Sequence, residues 1–533
     1  MVFYSYQKKE IRKDFFESDI CIIGTGIAGL IIADSFRGSN LKVDILESGG
    51  FKNDDSTTNY FFDCEMKSFQ YDGALKGRCR TFGGSSTKWG GQLLPLRDID
   101  FKNRDYIENS GWPISQKDIE EYYSLGEKIL GVNNESFSQN NNLNFFEENK
   151  IKTIKEIKFR FSKWSPISHR NLSKTIGKRC KNDRNTRIFL NTTARYLSLK
   201  KNSNQVEYIN AIDKTGKELI FNSNIFVIAC GTLETNRLLL LSRNHEGKSI
   251  GNENDNLGKF FHDHISIKAA RILPKNRDKF LKIWSPKYIN STRHTLKIET
   301  SRNWQKDKKN LNTMGHFIYE EDDLSFINFL RNLFKAYQEN NLKLKKINPK
   351  FFISLILNLF DLFYIGLILI IKRKKLPTKN AGIFLYIDTE QVPRKYNRLY
   401  LSKQKDIFGM NKLCIDWRFN KDEVSAISNY MSLFGKQWEK WGQGRIKWLT
   451  DFKDINNLRE ITKDTYHPMG GTRMSSSPDK GVVDKNLKLH NYKNLYIASC
   501  SVFPTGGSSN PTLTLIALCL RLSDHIKSFF SKT

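Results

Sequence analysis

A short apolar run leading directly into Gly24-Thr-Gly26-Ile-Ala-Gly29 constrains the fold of this chain more than any other feature. Asp19–Ile23 is β-branched and apolar, the composition of a buried parallel strand. Leu30–Phe36 has helical composition, and a second strand, Lys42–Leu46, ends in Glu47, 21 residues after Gly26. Gly24 permits the tight turn, and Gly26 lets a pyrophosphate approach the backbone. Gly29 lets the helix pack closely on the strand, and the helix N-terminus stabilises phosphate charge. Glu47 is placed to accept hydrogen bonds from an adenosine ribose. The unit reads as a dinucleotide-binding βαβ, without separating flavin from nicotinamide.

Two later segments favour the flavin. Phe221–Gly231 is another buried strand running into a glycine, followed by a helical stretch from Thr232. Near the end, Leu495–Ser499 is a strand, and a Gly-rich turn leads to the apolar helix Pro511–Ile526. The cofactor domain is thus assembled from the start, middle and end of the chain. A plain nicotinamide dehydrogenase needs no such return.

Composition narrows the remaining classes. With 39% hydrophobic and 12% aromatic residues the chain can bury a large core and is not disordered. Its 533 residues fit roughly three to four units of about 150 residues, but the interleaving favours two domains. The formal charge of +30 invites nucleic acid or an anionic membrane. No aromatic-interleaved basic block or helix-turn-helix pattern supports nucleic acid, so no such partner is expected. The N-terminus, Met1–Asp19, is mixed and charged, without the apolar core of a cleaved signal. Eight cysteines are scattered without CxxC or zinc spacing. A reduced, cytoplasmic protein is expected, with no metal site. His262-Asp-His264 is the one close histidine pair, and a structural role is expected for it.

Four blocks together resemble the glucose-methanol-choline oxidoreductases, a family of FAD-dependent alcohol and sugar oxidases and dehydrogenases. The first is the nucleotide fingerprint with Glu47. The second runs from Arg80 through Gly83-Gly84-Ser85-Ser86 to Lys88-Trp89-Gly90-Gly91. The third is Ala229–Arg237 with Gly251-Asn252 and Gly258–His264 behind it. The fourth comprises Tyr466–Met474, Gly481–Asp484 and Ser501–Thr512, which contains Pro504, Asn510 and Pro511. Glu390-Gln391 and Asp416-Trp417-Arg418 also resemble the family's substrate-side sheet. Trp89-Gly90-Gly91, and Ser499 where many members carry Asp, resemble the pyranose- and fructose-oxidising branch.

The resemblance implies an α/β fold: a Rossmann-like FAD-binding domain with a parallel sheet, and a discontinuous α+β substrate domain on an antiparallel sheet. The expected division is 1–110, 186–268 and 462–533 for FAD, and 111–185 and 269–461 for substrate. Strands such as Gly382–Asp388, Arg398–Ser402 and Lys412–Trp417 are expected in the substrate sheet. The implied cofactor-binding residues are Gly24, Gly26, Gly29, Glu47, Ser48, Arg80, Gly83, Gly84, Ser85, Ser86, Ala194, Gly231, Ser499, Pro511 and Thr512. Some relatives attach FAD through the His of a Thr-His-Trp triplet. Here it reads Thr87-Lys88-Trp89, and Lys has no imidazole nitrogen, so non-covalent FAD is expected.

Oxidising an alcohol to a carbonyl removes a hydroxyl proton and a carbon-bound hydride. Flavin can take the hydride, and side chains cannot. The proton needs a base near neutrality, for which His is suited. The family's catalytic pair falls on His467 and Asn510, the imidazole taking the proton and the amide orienting the alcohol oxygen. The expected activity is oxidation of a CH–OH group of a sugar or other small alcohol, with oxygen, a quinone or a redox protein as electron acceptor. A flavin-dependent lyase or decarboxylase on this scaffold is the alternative. His169 is expected in an ordinary surface loop, Lys88 in solvent, and Trp89 and Trp417 in the core.

Phe351–Ile371 is an apolar stretch of 21 residues, about 31 Å long as a helix. Lysines and an arginine bracket it, from Lys343 to Lys350 and from Lys372 to Lys375. That length spans a bilayer core, but a single span would place Gly24 and Asn510 on opposite sides of the membrane. Two readings stay open for this insertion at 326–375: a helix or hairpin in the membrane interface, its cations on anionic lipid, or a core helix or oligomer contact. The basic flanks and the amphipathic run upstream favour peripheral contact at the inner membrane face.

Overall fold

The computed structural model describes residues 14–52, 63–138, 154–320, 381–451 and 455–531, with the single positions 151 and 377. The 326–375 insertion and both of its readings lie outside the described residues.

The strand predicted at Asp19–Ile23 is the inner half of β1 (Asp14–Ile23). Its outer half alternates between exposed and covered residues, and its inner half, Cys21 to Ile23 above all, is buried on both faces. A strand covered on both sides cannot alternate polar and apolar side chains, which is why this run is continuous. Helix α1 (Ile27–Phe36) follows, then β2 (Val43–Leu46). A seven-stranded sheet forms around them. On one side β2 pairs in parallel with β3 (Thr186–Phe189). Next come β4 (Thr192–Leu199), β5 (Val206–Asp213) and β6 (Glu218–Ile228). These three are joined antiparallel, and β6 lies parallel to β1 along nearly its whole length. Helix α2 (Gly231–Leu241) leaves the end of β6. The chain returns as β7 (Leu495–Ile497), parallel to the inner end of β6, and enters α3 (Thr512–Phe530).

A second, nine-stranded sheet stands beside the first, and every pairing recorded within it is antiparallel. Its centre is His264–Pro274, Gly382–Glu390, Thr313–Glu320, Thr292–Thr300 and Ile157–Trp164. One face is apolar, with Ile267, Ile298, Leu385 and Ile387 buried against the long helix Lys421–Trp441. Phe280, Trp284, Phe317, Phe434 and Trp438 fill that layer, with ring centroids 5.2 to 6.4 Å apart. The opposite face is polar and carries Arg160, Lys297, Glu299 and Asp388.

The three strands expected in one substrate sheet divide between two. Gly382–Glu390 is central to the nine-stranded sheet, whereas Arg398–Lys405 and Asn411–Asp416 pair with Glu65–Met66 in a separate small sheet. Their alternation shows pairing partners of antiparallel type but not which neighbour they meet. Arg237 on α2 ties this pair to the first sheet's helix, reaching Asp406 at 2.6 Å. Conversely Gln92–Leu93 and Lys463–Asp464, from segments read as part of the FAD domain, hydrogen-bond into the nine-stranded sheet.

Candidate active site

Three helix N-termini converge on one cavity of about 580 Å³. Gly26-Ile27-Ala28 of α1, Gly231-Thr232-Leu233 of α2, and Pro511-Thr512 at α3 all line it. None of these helices has a side-chain hydrogen bond capping its start. Unpaired backbone N–H groups and the positive ends of three helix dipoles therefore face the same space, which suits a pyrophosphate. Two of the fingerprint glycines leave no room for a side chain. A Cβ at Gly24, where φ is +103°, would lie 2.7 Å from the Ala229 carbonyl oxygen. A Cβ at Gly29 would lie 1.9 Å from the Gly24 carbonyl oxygen, so only glycine permits α1 to seat on the turn.

Of the predicted residues, Gly24, Gly26, Glu47, Ser48, Arg80, Gly84, Ser85, Ala194, Gly231, Ser499, Pro511 and Thr512 line the cavity with His467 and Asn510. Gly29, Gly83 and Ser86 do not. They build the wall from behind: the Ser86 hydroxyl donates to the Gly83 carbonyl and accepts the Leu172 N–H. Glu47 is buried, and its carboxylate takes the Thr25 N–H and hydroxyl at 3.0 and 2.6 Å and the Gly49 N–H at 2.8 Å. Burial raises its pKa against those hydrogen bonds. It thus braces the phosphate-binding turn as well as facing the cavity. Arg80 donates to Ser48 and Thr193, and burial lowers its guanidinium to about 10. Ser499 turns its hydroxyl to the Ser501 N–H. These features fit the FAD that the resemblance implies, and His467 and Asn510 line the same cavity.

His467 Nε2 lies 3.5 Å from Asn510 Nδ2, and Asn510 Oδ1 has no hydrogen-bond partner among the described residues. Behind His467 stands a residue assigned only a structural role by its spacing, His264. Its Nδ1 is 3.1 Å from His467 Nδ1, and its Nε2 is 3.2 Å from the Gly506 carbonyl oxygen. A carbonyl can only accept, so His264 carries its proton on Nε2 and leaves Nδ1 as an acceptor. His467 therefore carries its proton on Nδ1, shared with Thr465 Oγ1 at 2.9 Å, and turns its unprotonated Nε2 toward the cavity and the Asn510 amide. Burial, reinforced by His264, lowers the His467 pKa to about 3, so the ring is neutral at physiological pH. Burial likewise lowers His264.

Asp263 holds this arrangement. Its carboxylate accepts the His467 N–H, the His264 N–H, the Thr465 hydroxyl and the Tyr71 hydroxyl, the last at 2.6 Å. Burial, then the neighbouring Asp464, raises Asp263 to about 7. Potential ligand atoms of Asp263, His264 and His467 lie within 4.8 Å of one another, close enough for a cation. The internal hydrogen bonds already engage the Asp263 carboxylate and both His264 ring nitrogens. His264 could not be found by spacing, because its partner is 203 residues away.

The remaining aromatic and basic candidates divide. Trp417 is 1% exposed and donates to Gln391, a core residue as expected. Trp89 and Lys88 both line the cavity, so neither is simply core or simply solvated. His169 pairs with Ser168 outside it. All eight cysteines are free thiols. Among the described residues no helix is long and apolar enough to cross a membrane.

Residues 393–519 match a family model described as "GMC oxidoreductase". The chain is 21% identical to 2-methyl-1,2-propanediol dehydrogenase of Mycolicibacterium austroafricanum, over 97% of this chain and 96% of that protein. It is 30% identical to the fructose dehydrogenase large subunit of Gluconobacter japonicus, over 27% of this chain and 25% of that one. In fold it is similar to pyridoxine 4-oxidase from Mesorbium loti, with a TM-score of 0.60, 15% identity, and 96% and 99% of the two chains covered. Formate oxidase gives the same TM-score, at 15% identity over 98% and 100% of the chains. Residues 393–519 thus carry the C-terminal region of a GMC oxidoreductase, and similarity to a dehydrogenase runs along almost the whole chain.

Proposed function

We propose that this enzyme oxidises a CH–OH group of a sugar or other polyol to a carbonyl, with His467 as the base and Asn510 as the residue that orients the alcohol oxygen. The observation carrying this reading is the proton chain from the Gly506 carbonyl through His264 to His467. It leaves the unprotonated Nε2 on the cavity side, beside the Asn510 amide. A hydroxyl placed between the two can donate to Nε2 while accepting from Nδ2. An amide aimed at an oxygen that gains negative charge contributes about 3 kcal/mol to lowering such a barrier. When bound, FAD supplies the hydride acceptor that no side chain provides.

The chain's own residues do the rest. Asp263 holds the backbone of His467 and His264, Thr465 steadies the His467 ring, and the Pro511-Thr512 start of α3 carries Asn510 at its entrance. The similarity to the diol dehydrogenase and the fructose dehydrogenase subunit supports a polyol or sugar substrate. The test is anaerobic reduction of the holoenzyme against a panel of sugars and diols. Bleaching of the flavin by one of them is expected. Product formed with the flavin remaining oxidised would replace this reading with the lyase alternative. Reoxidation by oxygen, a quinone or a redox protein then identifies the acceptor.

A further inference from the structure

At the edge of the nine-stranded sheet Gln92 sits directly across from Trp164, and both line the cavity. Beside them Ser162 and Thr295 face each other across the next strand pair. One set of proton positions satisfies every contact among the four. Trp164 Nε1–H donates to Thr295 Oγ1 at 2.9 Å, and the Thr295 hydroxyl donates to Ser162 Oγ at 2.6 Å. Ser162 in turn donates to the Thr295 carbonyl at 3.2 Å and accepts from Gln92 Nε2 at 2.8 Å. The Gln92 amide is thereby oriented, and among the described residues nothing donates to its Oε1.

The Trp164 ring is held in place without being packed away. It is half-buried, and among the described residues it belongs to no apolar cluster, whereas Trp89 packs against the core. The Arg293 guanidinium lies 4.3 Å from the Trp164 ring centroid and covers one face, so the other face is the one the ring can offer the cavity. Gly90, which also lines the cavity, keeps that ring uncovered. Its φ lies outside the left-handed region, so its conformation does not call for glycine. Among the described residues a Cβ there would meet one atom within 4 Å, Trp164 Cζ3 at 3.3 Å. A flat apolar surface beside a fixed amide acceptor suits a ring-shaped polyol. Its C–H face can lie on the indole while a hydroxyl at its rim donates to the amide oxygen.

We infer that Trp164 and Gln92 form the subsite that selects a cyclic polyol, such as a sugar in its ring form, over an open-chain one. The inference rests on the alcohol-oxidising reading of the same cavity and adds the substrate's shape. Trp164 takes the C–H face of the ring, and Gln92 Oε1 accepts from one of its hydroxyls, with no covalent step.

The test uses matched pairs of a cyclic polyol and its open-chain counterpart: 1,5-anhydro-D-glucitol with D-glucitol, and the corresponding manno and galacto pairs. Each is titrated anaerobically into oxidised holoenzyme. Its Kd is read from the flavin spectrum, or from the concentration dependence of reduction where it bleaches the flavin. In at least one pair the ring form is expected to bind about tenfold more tightly. Trp164→Leu should bring that preference to about twofold or less, and Trp164→Phe should keep most of it. Gly90→Val, which sets a side chain against the ring edge, should also lower it. No binding by any ring form, equal binding within every pair, or a preference surviving in Trp164→Leu would overturn the inference. Should Trp164→Leu fail to fold, a preference surviving in both Gly90→Val and Gln92→Leu would overturn it instead. A ring preference with no bleaching by any alcohol would remove only the proposed reaction. Bleaching by open-chain alcohols without a ring preference would remove only the ring subsite.

Discussion

The Nδ1 atoms of His264 and His467 lie 3.1 Å apart, and the proton between them belongs to His467 because the Gly506 carbonyl claims the proton on the far side of His264. The His467 ring is thereby oriented by a second imidazole rather than by a carboxylate. Asp263 instead holds the backbone on which both rings are mounted.

Replacing the base tests the centre of this arrangement. His467→Ala should keep FAD but slow alcohol-driven flavin bleaching by at least about a hundredfold. Stopped-flow reduction measures it, and unchanged bleaching would remove the assignment.

The pH profile follows from burial. A base must be unprotonated, so its rate is lost as pH falls through its pKa. With His467 lowered to about 3, the base should not limit kcat/KM between pH 7.5 and pH 5. An ordinary histidine of pKa about 6.5 would retain only about a quarter of its active form at pH 6. A loss of that size at pH 6, absent from the His467→Ala background, would contradict the neutral ring described here.

His264 acts through His467, so its loss should be rescued by an acceptor of similar placement. His264→Leu is expected to lower kcat by about tenfold to a hundredfold, because the wrong tautomer becomes available. His264→Asn, whose carbonyl oxygen can accept from His467 Nδ1–H, should recover most of it. Equal loss in both variants would indicate packing alone.

Lys88 occupies the middle of the Thr87–Trp89 triplet and lines the cavity without an imidazole. Acid precipitation should therefore leave a colourless pellet and a yellow supernatant. Colour retained in the pellet would show a covalent bond and redirect attention to another side chain.

Two structural variants test what holds the site. Gly29→Ala puts a methyl 1.9 Å from the Gly24 carbonyl oxygen and should cost about 1–3 kcal/mol while lowering FAD content. Arg104 forks onto Glu390 at 2.6 and 2.9 Å, both buried, and Glu390 is the register partner of His264. Arg104→Ala should destabilise by about 3–5 kcal/mol, because an unpaired carboxylate is left inside. Denaturant unfolding of the two proteins checks both values.

What the sequence determined by itself was whatever chemistry is local or recurs at short spacing. Gly24 and Gly29 could be read because a Cβ at either collides with backbone, along the adjoining strand for Gly24 and five residues back for Gly29. β6, β7 and α3 were legible because a strand buried on both faces must be a continuous apolar run, and α3 because a helix has its own period. His467 and Asn510 came from a resemblance carried by closely spaced motifs. The tertiary structure alone decided the rest. His264 meets His467 across 203 residues, and Lys297 meets Arg160 across a sheet whose register no local pattern specifies. Arg398–Lys405 and Asn411–Asp416 joined Glu65–Met66 instead of the larger sheet for the same reason. Backbone hydrogen bonding is the same for any pair of strands, so the choice of neighbour rests on side-chain packing and charge between segments far apart in the chain.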